Sequence, residues 1–391
     1  MLKNLLIWIA AIALSATSYT TALGGIAKNR SPDFALSLFP TNGFAAEAKA
    51  AKLAKASVAK NLGGFPDKID RSLNMLALQA FKSEPIVPDA IAVIALSQAE
   101  VVRRDLMQTA FQLSRRQQLT SGWLIFDSGK RDDIPAILNH YDTILRTNIS
   151  SRDVVINGMA NALANENFVQ PFASLLSKHP PWADRFWEKI VLTPAAIGNA
   201  SRLREILYEM DEKVTGEYRD QDLIIALVKG EQFNRAEELY MLMNPQKSDS
   251  GILRNSTFQM LSKYPPIDWQ LLSTGEYGAN ITEGILQFSA ISNSGGLFAR
   301  QLIKLPNAEL ELEVKLVDEV PLGANIFIEL SCAESVLSKA QKFRLPLTRK
   351  YTSVSVVNSL DFCEYYWLDI YGFAKDDGFD FGIKSISIQP K

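Results

Sequence analysis

The chain has few of the side chains that most often carry enzyme chemistry or bind metals. Among 391 residues there are 2 histidines and 2 cysteines. The histidines, His140 and His179, lack the HExxH spacing that places two imidazoles on one zinc ion. Glycine-rich phosphate loops, GxSxG elbows and CxxC pairs are also missing from the sequence. We therefore expect no metal, no cofactor and no catalytic residue, and predict a protein that is not an enzyme.

The chain also lacks an excess of either charge. It has 41 Lys+Arg against 43 Asp+Glu, a net charge of -2, and so no basic field that would attract nucleic acid. The total conceals a split, because residues 264–391 carry 11 basic and 16 acidic side chains, a net of -5, which leaves +3 for residues 1–263. The length and the 47% hydrophobic content allow two or three domains with real cores.

A long apolar run opens the chain. Residues 5–14 are uninterrupted apolar residues after a single lysine, which is typical of a secretory signal peptide. Residues 5–27 are also long enough to span the roughly 30 Å hydrocarbon core of a membrane, and Lys28 and Arg30 behind them leave the orientation open. We predict that residues 1–27 are a signal peptide or a transmembrane anchor.

The two cysteines bear on the compartment. Cys332 and Cys363 both lie near strand-like runs, and a bridge between them would close a loop of about 30 residues and stabilise the fold by about 3–4 kcal/mol. Disulfides persist in oxidising compartments, whereas the alternative is two buried free thiols. We predict the bridge. The protein would then be held in the cell envelope, anchored in the inner membrane and facing the periplasm, or released there if the signal is cleaved.

The segment from 28 to 261 has helical periodicity. Apolar residues recur three or four positions apart, as in Ile134, Ile137, Leu138 and Tyr141. Short polar breaks separate one such segment from the next, and successive short helices of this kind form antiparallel pairs. We predict a helical domain over this whole segment.

Two of the predicted helix pairs share a pattern of small and aromatic residues. Gly230 is followed by Ala236, Tyr240 and Pro245, and residues 123–148 follow the same order. This resembles the tetratricopeptide repeat, which recurs every 34 residues, although the consensus start of each repeat is missing. The resemblance implies an α-solenoid whose concave face binds a peptide or a partner protein. The alternative is an irregular helical bundle that spaces two domains.

Beyond Tyr264 the period of the apolar residues changes from 3.6 to 2, and Glu309–Leu316 alternates strictly. The predicted strands cover residues 285–291, 298–305, 309–316, 325–330, 342–347, 353–357, 366–373 and 379–388. Because no helical pattern separates them, we predict an antiparallel β-sandwich over residues 262–391, specifically an eight-stranded jelly roll.

One predicted strand carries an unusual row of rings. Alternate residues of a strand point to opposite faces, so Tyr366, Leu368 and Ile370 form a core stripe. The other face carries an aromatic ladder with one carboxylate, formed by Tyr365, Trp367, Asp369, Tyr371 and Phe373. Aromatic rings beside a hydrogen-bond acceptor suit a sugar, and we predict a glycan-binding site here. The alternative is that these rings are buried in the sandwich or at its contact with the helices.

The whole chain resembles a type of envelope protein of alphaproteobacteria, in which a membrane anchor precedes tetratricopeptide-like helices and a carbohydrate-binding-like jelly roll. The residues that carry the likeness are Leu138–Arg146 in the helical part and Cys332, Cys363, Trp367 and Leu368 in the strands. The resemblance implies a role in surface-polysaccharide assembly.

Together these features predict a non-enzymatic envelope adaptor that binds a protein partner through its helices and a glycan through its sandwich. The net charge of -5 on residues 264–391 would repel polyanions, so we expect a neutral glycan. Two alternatives stay open: a purely structural protein–protein interaction module, and a glycan hydrolase or lyase that uses a pair of facing carboxylates.

Overall fold

The computed structural model describes residues 2–61, 64–66, 69–210, 219–244, 251–334, 342–348, 351–357 and 363–390. Helices occupy the chain as far as Met243 and strands begin at Gln270, which confirms the predicted order of α followed by β. The chain divides into two compact units, one of residues 1–159 with 180–182 and the other of residues 160–179 with 183–391. The second unit therefore contains helices as well as the sandwich, and the predicted three-domain division stays a prediction.

Fourteen α-helices are present in the described residues. They are α1 Leu2–Arg30, α2 Pro32–Leu38, α3 Gly43–Lys60, α4 Arg71–Ser83, α5 Pro88–Leu96, α6 Glu100–Leu113, α7 Gln118–Lys130, α8 Ile134–Thr147, α9 Arg152–Ala162, α10 Val169–Leu176, α11 Ala183–Ile190, α12 Ile197–Glu209, α13 Asp220–Lys229 and α14 Phe233–Met243. Polar side chains fix several starts. The side chain of Asn42 accepts a hydrogen bond from Ala45 N at the start of α3, and Asp133 accepts one from Ala136 N at the start of α8.

Helix α1 is the apolar segment that the sequence predicts as a signal or an anchor. Its residues Ile7–Arg30 are long and apolar enough to cross a membrane, and only 6% of the apolar 18-residue stretch within them is buried in the protein. A signal sequence meets the same criteria of length and composition. The helix therefore fits either role.

The first unit packs its helices through small residues. Ala46, Ala50 and Ala54 form a stripe along α3 and are at most 1% exposed, and Ala77 and Ala80 of α4 are fully buried in the same cluster. Alanine at these positions lets two helix backbones approach closely, so the core is close-packed with little side-chain volume. The alanine-rich sequence of this region thus reflects packing.

The two helix pairs that resemble tetratricopeptide repeats are α7–α8 and α13–α14. Each pair has a short turn in which one residue adopts a left-handed backbone conformation, Asp132 with φ 53° and Glu231 with φ 56°. Tyr240 of α14 is 2% exposed and packs inside its unit. Helix pairs at the predicted places are thus present, while membership of the repeat class stays a prediction.

The sandwich consists of two five-stranded antiparallel sheets. Its strands are β1 Gln270–Leu271, β2 Tyr277–Thr282, β3 Ile285–Ala290, β4 Gly295–Lys304, β5 Glu309–Leu316, β6 Ala324–Cys332, β7 Phe343–Pro346, β8 Tyr351–Val357, β9 Tyr365–Ala374 and β10 Phe379–Pro390. Sheet A has the order β1-β4-β9-β6-β7 and sheet B the order β2-β3-β10-β5-β8. The eight predicted strands correspond to β3 to β10. The prediction does not include β1 and β2. Strand β1 has only two residues, and β2 (YGANIT) alternates apolar and polar residues but contains Gly278 and Asn280, which are typical of turns.

One arginine joins the last helix to the sandwich. The backbone N–H of Arg254 donates to the side chain of Gln301 in β4, which in turn donates to the carbonyl of Arg254. The guanidinium of Arg254 donates to Glu237 of α14 at 2.8 Å and lies 4.6 Å from the ring centre of Tyr240. Helix α14 and sheet A are therefore fixed to each other within the second unit.

Candidate ligand-binding surfaces of the sandwich

The outward side of sheet A carries the predicted aromatic ladder. As predicted, Tyr366, Leu368 and Ile370 of β9 lie in the core, each at most 1% exposed. The alternate residues of β9 point outwards beside residues of β4, β6 and β7, and we call this surface the aromatic face. It comprises Arg300, Phe327, Glu329, Arg344, Trp367, Asp369, Tyr371 and Phe373, together with Lys342 just before β7.

Tyr365, the first residue of the predicted ladder, lies at the contact with helix α14. It is 4% exposed, its hydroxyl is 2.8 Å from Asn234 Oδ1 and 2.9 Å from Glu237 Oε2, and its ring centre is 5.2 Å from that of Phe233. Burial and the neighbouring Glu237 carboxylate raise the pKa of the Tyr365 hydroxyl. At this end of β9 the structure thus agrees with the alternative that the ring packs against the helices.

Trp367 and Asp369 share a partner on the neighbouring strand. The guanidinium of Arg300 lies 4.3 Å from the ring centre of the half-buried Trp367. It also donates two hydrogen bonds of 2.9 Å to the two oxygens of Asp369, which is 3% exposed. Such a paired geometry is the strongest form of an arginine–carboxylate contact. Arg300 therefore holds both predicted ligand residues in place.

A second carboxylate lies directly beside Asp369. Glu329 of β6 faces Asp369 across the strand pair, is 2% exposed and accepts hydrogen bonds from Lys342 Nζ at 2.9 Å and Arg344 Nε at 2.6 Å. Burial, only partly offset by Arg300, raises the pKa of Asp369. Burial also acts to raise the pKa of Glu329, but its bonds to Lys342 and Arg344 outweigh that effect and hold it below the usual value.

On this face the negative groups are buried and the positive groups lie above them, closer to the solvent. The carboxylate side chains of Asp369 and Glu329 are 4% and 2% exposed, whereas the side chains of Arg300, Lys342 and Arg344 are 27%, 53% and 62% exposed. A ligand that approaches the face therefore meets positive groups first. The two acids are also occupied by ion pairs with Arg300, Lys342 and Arg344.

Three rings form a cluster at the far end of β9. Phe327 lies nearly parallel to Tyr371, with centres 5.2 Å apart and planes at 17°, and nearly parallel to Phe373, with centres 6.5 Å apart and planes at 18°. Arg344 lies 4.9 Å from the centre of Phe327. Phe327 and Tyr371 are half-buried, and Phe373 is 44% exposed. The row of rings thus passes from buried at Tyr365 to open at Phe373.

The predicted disulfide is confirmed. Cys332 and Cys363 are bonded to each other with Cα atoms 5.9 Å apart. The bond connects the end of β6 to Cys363, two residues before β9 begins at the buried Tyr365. Glu334 lies close to both sulfur atoms, but sulfurs that are bonded to each other are not thiolates that could hold a metal. A disulfide at this place indicates an oxidising compartment.

The outward side of sheet B carries a groove that the sequence does not reveal. Strands β2, β3 and β10 form its floor, the loops 273–276 and 317–319 line its sides, and its volume is about 1140 Å³. Two rows cross the floor, Gly278–Ser289–Asp380 and Asn280–Gln287–Gly382. We call it the polar groove. It was missed because β2 itself was not recognised as a strand.

No protein-family model matches the chain, and no curated protein matches it. Eleven chains of solved structures do match. One is the carbohydrate-binding module TmCBM61 in complex with β-1,4-galactotriose, with 10% identity, 36% of this chain and 99% of that chain covered, and a TM-score of 0.26. Another is described as a CBM4 structure, with 11% identity, the same shares covered and a TM-score of 0.25. Because both TM-scores lie below 0.5, the ligand of neither protein is transferred to this chain.

Proposed function

We propose that the sandwich is a non-catalytic glycan-binding domain and that the glycan lies on the aromatic face. The observation that carries the proposal is the cluster of Phe327, Tyr371 and Phe373, which brings three nearly parallel rings to the open end of β9. The C–H groups of a sugar stack on aromatic rings, while its hydroxyl groups need polar partners beside them. Arg344 and Lys342 supply such partners at the edge of the cluster.

Because the cations of the aromatic face are more exposed than its carboxylates, the face favours a saccharide that carries carboxylate or sulfate groups. The exposed atoms beside the rings belong to Arg344, Lys342 and Arg300, and the two carboxylates lie beneath them. The guanidinium group presents several N–H donors in a planar fork, so an arginine that binds one buried carboxylate still has donors for a second anion. The net charge of the domain is thus a poor guide to this face, because the face itself exposes cations.

The proposal is tested with the Phe373→Ala variant of the full chain. A sugar that covers about 50 Å² of the ring gains about 1.3 kcal/mol from that contact, so we expect roughly tenfold weaker binding. Affinity electrophoresis against polygalacturonate and neutral galactan measures the change. Leu322→Ala is the matched control, because Leu322 is a fully exposed apolar residue on a turn of the same sandwich.

We expect polygalacturonate to be retained more strongly than galactan, and its retention to weaken as salt screens the cations. Equal retention of the Phe373→Ala variant and the unmodified chain would remove the aromatic face from the proposal. If neither polymer is retained, the better explanation is that the sandwich is a structural module that binds only protein. The rings of the aromatic face would then pack against a protein surface, as Tyr365 packs against α14.

The wider role that we propose is an adaptor in the cell envelope. Helix α1 has the length and composition of a membrane anchor or signal, and the disulfide fits an oxidising compartment such as the periplasm. The helix pairs α7–α8 and α13–α14, one in each unit, support the proposal that tetratricopeptide-like helices bind a protein partner. An anchored protein that binds both a partner and a glycan fits surface-polysaccharide assembly. Alkaline phosphatase fused behind Lys391 tests the location, since it is active only outside the cytoplasm.

A further inference from the structure

The polar groove on sheet B differs in chemistry from the aromatic face. Its volume of about 1140 Å³ is larger than the roughly 300–1,000 Å³ of a typical small-molecule site, so an oligosaccharide fits it better than a single sugar. It lies on the opposite sheet from the aromatic face. The groove is therefore a separate surface, and its properties do not depend on the proposal above.

Four polar side chains point from the groove floor. Asn280, Gln287, Ser289 and Asp380 are all exposed, and within the described part of the chain none of them has a side-chain hydrogen bond to another protein group. Asn280 and Gln287 face each other on β2 and β3, and Ser289 faces Asp380 on β3 and β10. Amide and hydroxyl groups both donate and accept, as the hydroxyl groups of a sugar do.

Two glycines of the floor are closely covered by neighbouring side chains. A Cβ atom at Gly382 would lie 2.8 Å from Val317 Cγ2 and 3.0 Å from Ile285 Cγ2. One at Gly278 would lie 2.6 Å from Ser273 Oγ. A larger residue at either glycine would collide with these neighbours, so each polar row keeps a glycine beside its exposed polar side chains. Those side chains are the groups that a ligand in the groove can contact.

The charges around the groove are acidic. Glu276, Asp318, Glu319 and Asp380 line it, and no Lys or Arg is among the described residues that do. A polyanion would be repelled here, whereas neutral hydroxyl groups find acceptors. We propose that the polar groove is a saccharide site for a neutral oligosaccharide. Together with the function proposed for the aromatic face, on which this second statement rests, this site would let the sandwich bind two chemically different glycans on its two sheets.

The test uses the full chain and two probes. Isothermal titration with cellotetraose, mannotetraose and β-1,4-galactotetraose reports on the groove, and titration with trigalacturonic acid reports on the aromatic face. We compare the Asn280→Ala/Gln287→Ala variant with the Phe373→Ala variant. Both change exposed side chains, so each serves as the folded control of the other.

We expect at least one neutral tetrasaccharide to bind, the groove variant to weaken that binding at least tenfold, and Phe373→Ala to leave it within twofold. Trigalacturonic acid should show the reverse pattern. The groove site is overturned if none of the neutral tetrasaccharides binds, or if the groove variant binds them as the unmodified chain does. If the unmodified chain binds a neutral tetrasaccharide but not trigalacturonic acid, the function proposed for the aromatic face is contradicted and the groove site is supported.

Discussion

The ion pair between Arg300 and Asp369 gives a sharp test of how the aromatic face is held together. In the Arg300→Ala variant the carboxylate of Asp369, 4% exposed in the native protein, would lose its bidentate partner and face Glu329 across the strand pair. Removal of one partner of a buried ion pair costs about 3–5 kcal/mol. Because 27% of the Arg300 side chain is exposed, we expect the lower end, about 3 kcal/mol.

Native-state hydrogen exchange of the full chain measures this loss where it occurs. Amides of β9 should exchange about 150-fold faster in the variant, since every 1.4 kcal/mol corresponds to a factor of ten. The Arg300→Ala/Asp369→Asn double variant should recover at least half of the protection, because the uncompensated charge is gone. The matched control is Arg202→Ala, whose ion pair with Glu166 is 4.0 Å long and exposed, so we expect a change of less than about fivefold.

The effect should also depend on pH. Burial raises the pKa of Asp369 in the folded protein above its ordinary value, so the native state holds this proton more tightly than the unfolded chain does. Stability therefore falls as pH rises from the unfolded pKa to the folded one, and above that interval Asp369 is ionised and paired with Arg300. Without Arg300 the pKa rises further, and the deficit of the variant should be larger at pH 8 than at pH 5. A deficit below about 1 kcal/mol at pH 8, or one that is equal at both values, would refute the reasoning that Asp369 is held ionised by Arg300.

Three further predictions concern other parts of the chain. Burial, partly offset by hydrogen bonds from the backbone of Asp89 and Ala90, raises the pKa of Glu47 to about 7, so stability should fall as pH rises from about 4.5 through 7. After a discount for its partial exposure, Glu47→Gln should remove about 1–2 kcal/mol of that dependence, and an unchanged pH profile of thermal unfolding would contradict this. Replacement of Cys332 and Cys363 by Ser should lower the free energy of unfolding by about 3–4 kcal/mol, measured by denaturant unfolding with and without reductant. Equal unfolding midpoints of the variant and the oxidised unmodified chain would contradict this. Arg204→Met should lower the free energy of unfolding by about 3–5 kcal/mol, because it removes the ion-pair partner of the buried Asp220 carboxylate. Hydrogen exchange measures this loss, and α12 amides that exchange as slowly as in the unmodified chain would contradict it.

The strand β9 was predictable because its sequence alternates, but the environment of its rings was not. The period of 2 separates Tyr366, Leu368 and Ile370 from the outward residues, and the structure confirms that core stripe. Whether an outward ring is open depends on what else packs there. Tyr365 is covered by α14, more than 120 residues earlier in the chain, and no local pattern records such a contact.

The polar groove shows a second limit of prediction from sequence. Its floor needs β2 (YGANIT), in which apolar and polar residues alternate over only six positions. Gly278 and Asn280 are of types that are depleted in strands and typical of turns, so the local sequence does not decide between a strand and a loop, and pairing with β3 does. The distribution of charge over the two sheets is likewise not predictable from the net charge. The net of -5 for residues 264–391 was correct as arithmetic, yet Arg344 and Lys342 are exposed on one sheet while Asp318, Glu319 and Asp380 line the groove on the other.

The central position of β9 has a mechanical consequence. It lies between β4 and β6 and has nine register pairs with each, whereas the edge strand β7 has four with its neighbour. Antiparallel hydrogen bonds run perpendicular to the strands, so a pull along β9 loads both ladders in shear and all their bonds share the force. An edge strand pulled sideways would instead lose its bonds one after another. A polymer held at Phe373 and pulling along the strand would load both ladders of β9 in shear, and the other end of β9 is fixed by Tyr365 to helix α14.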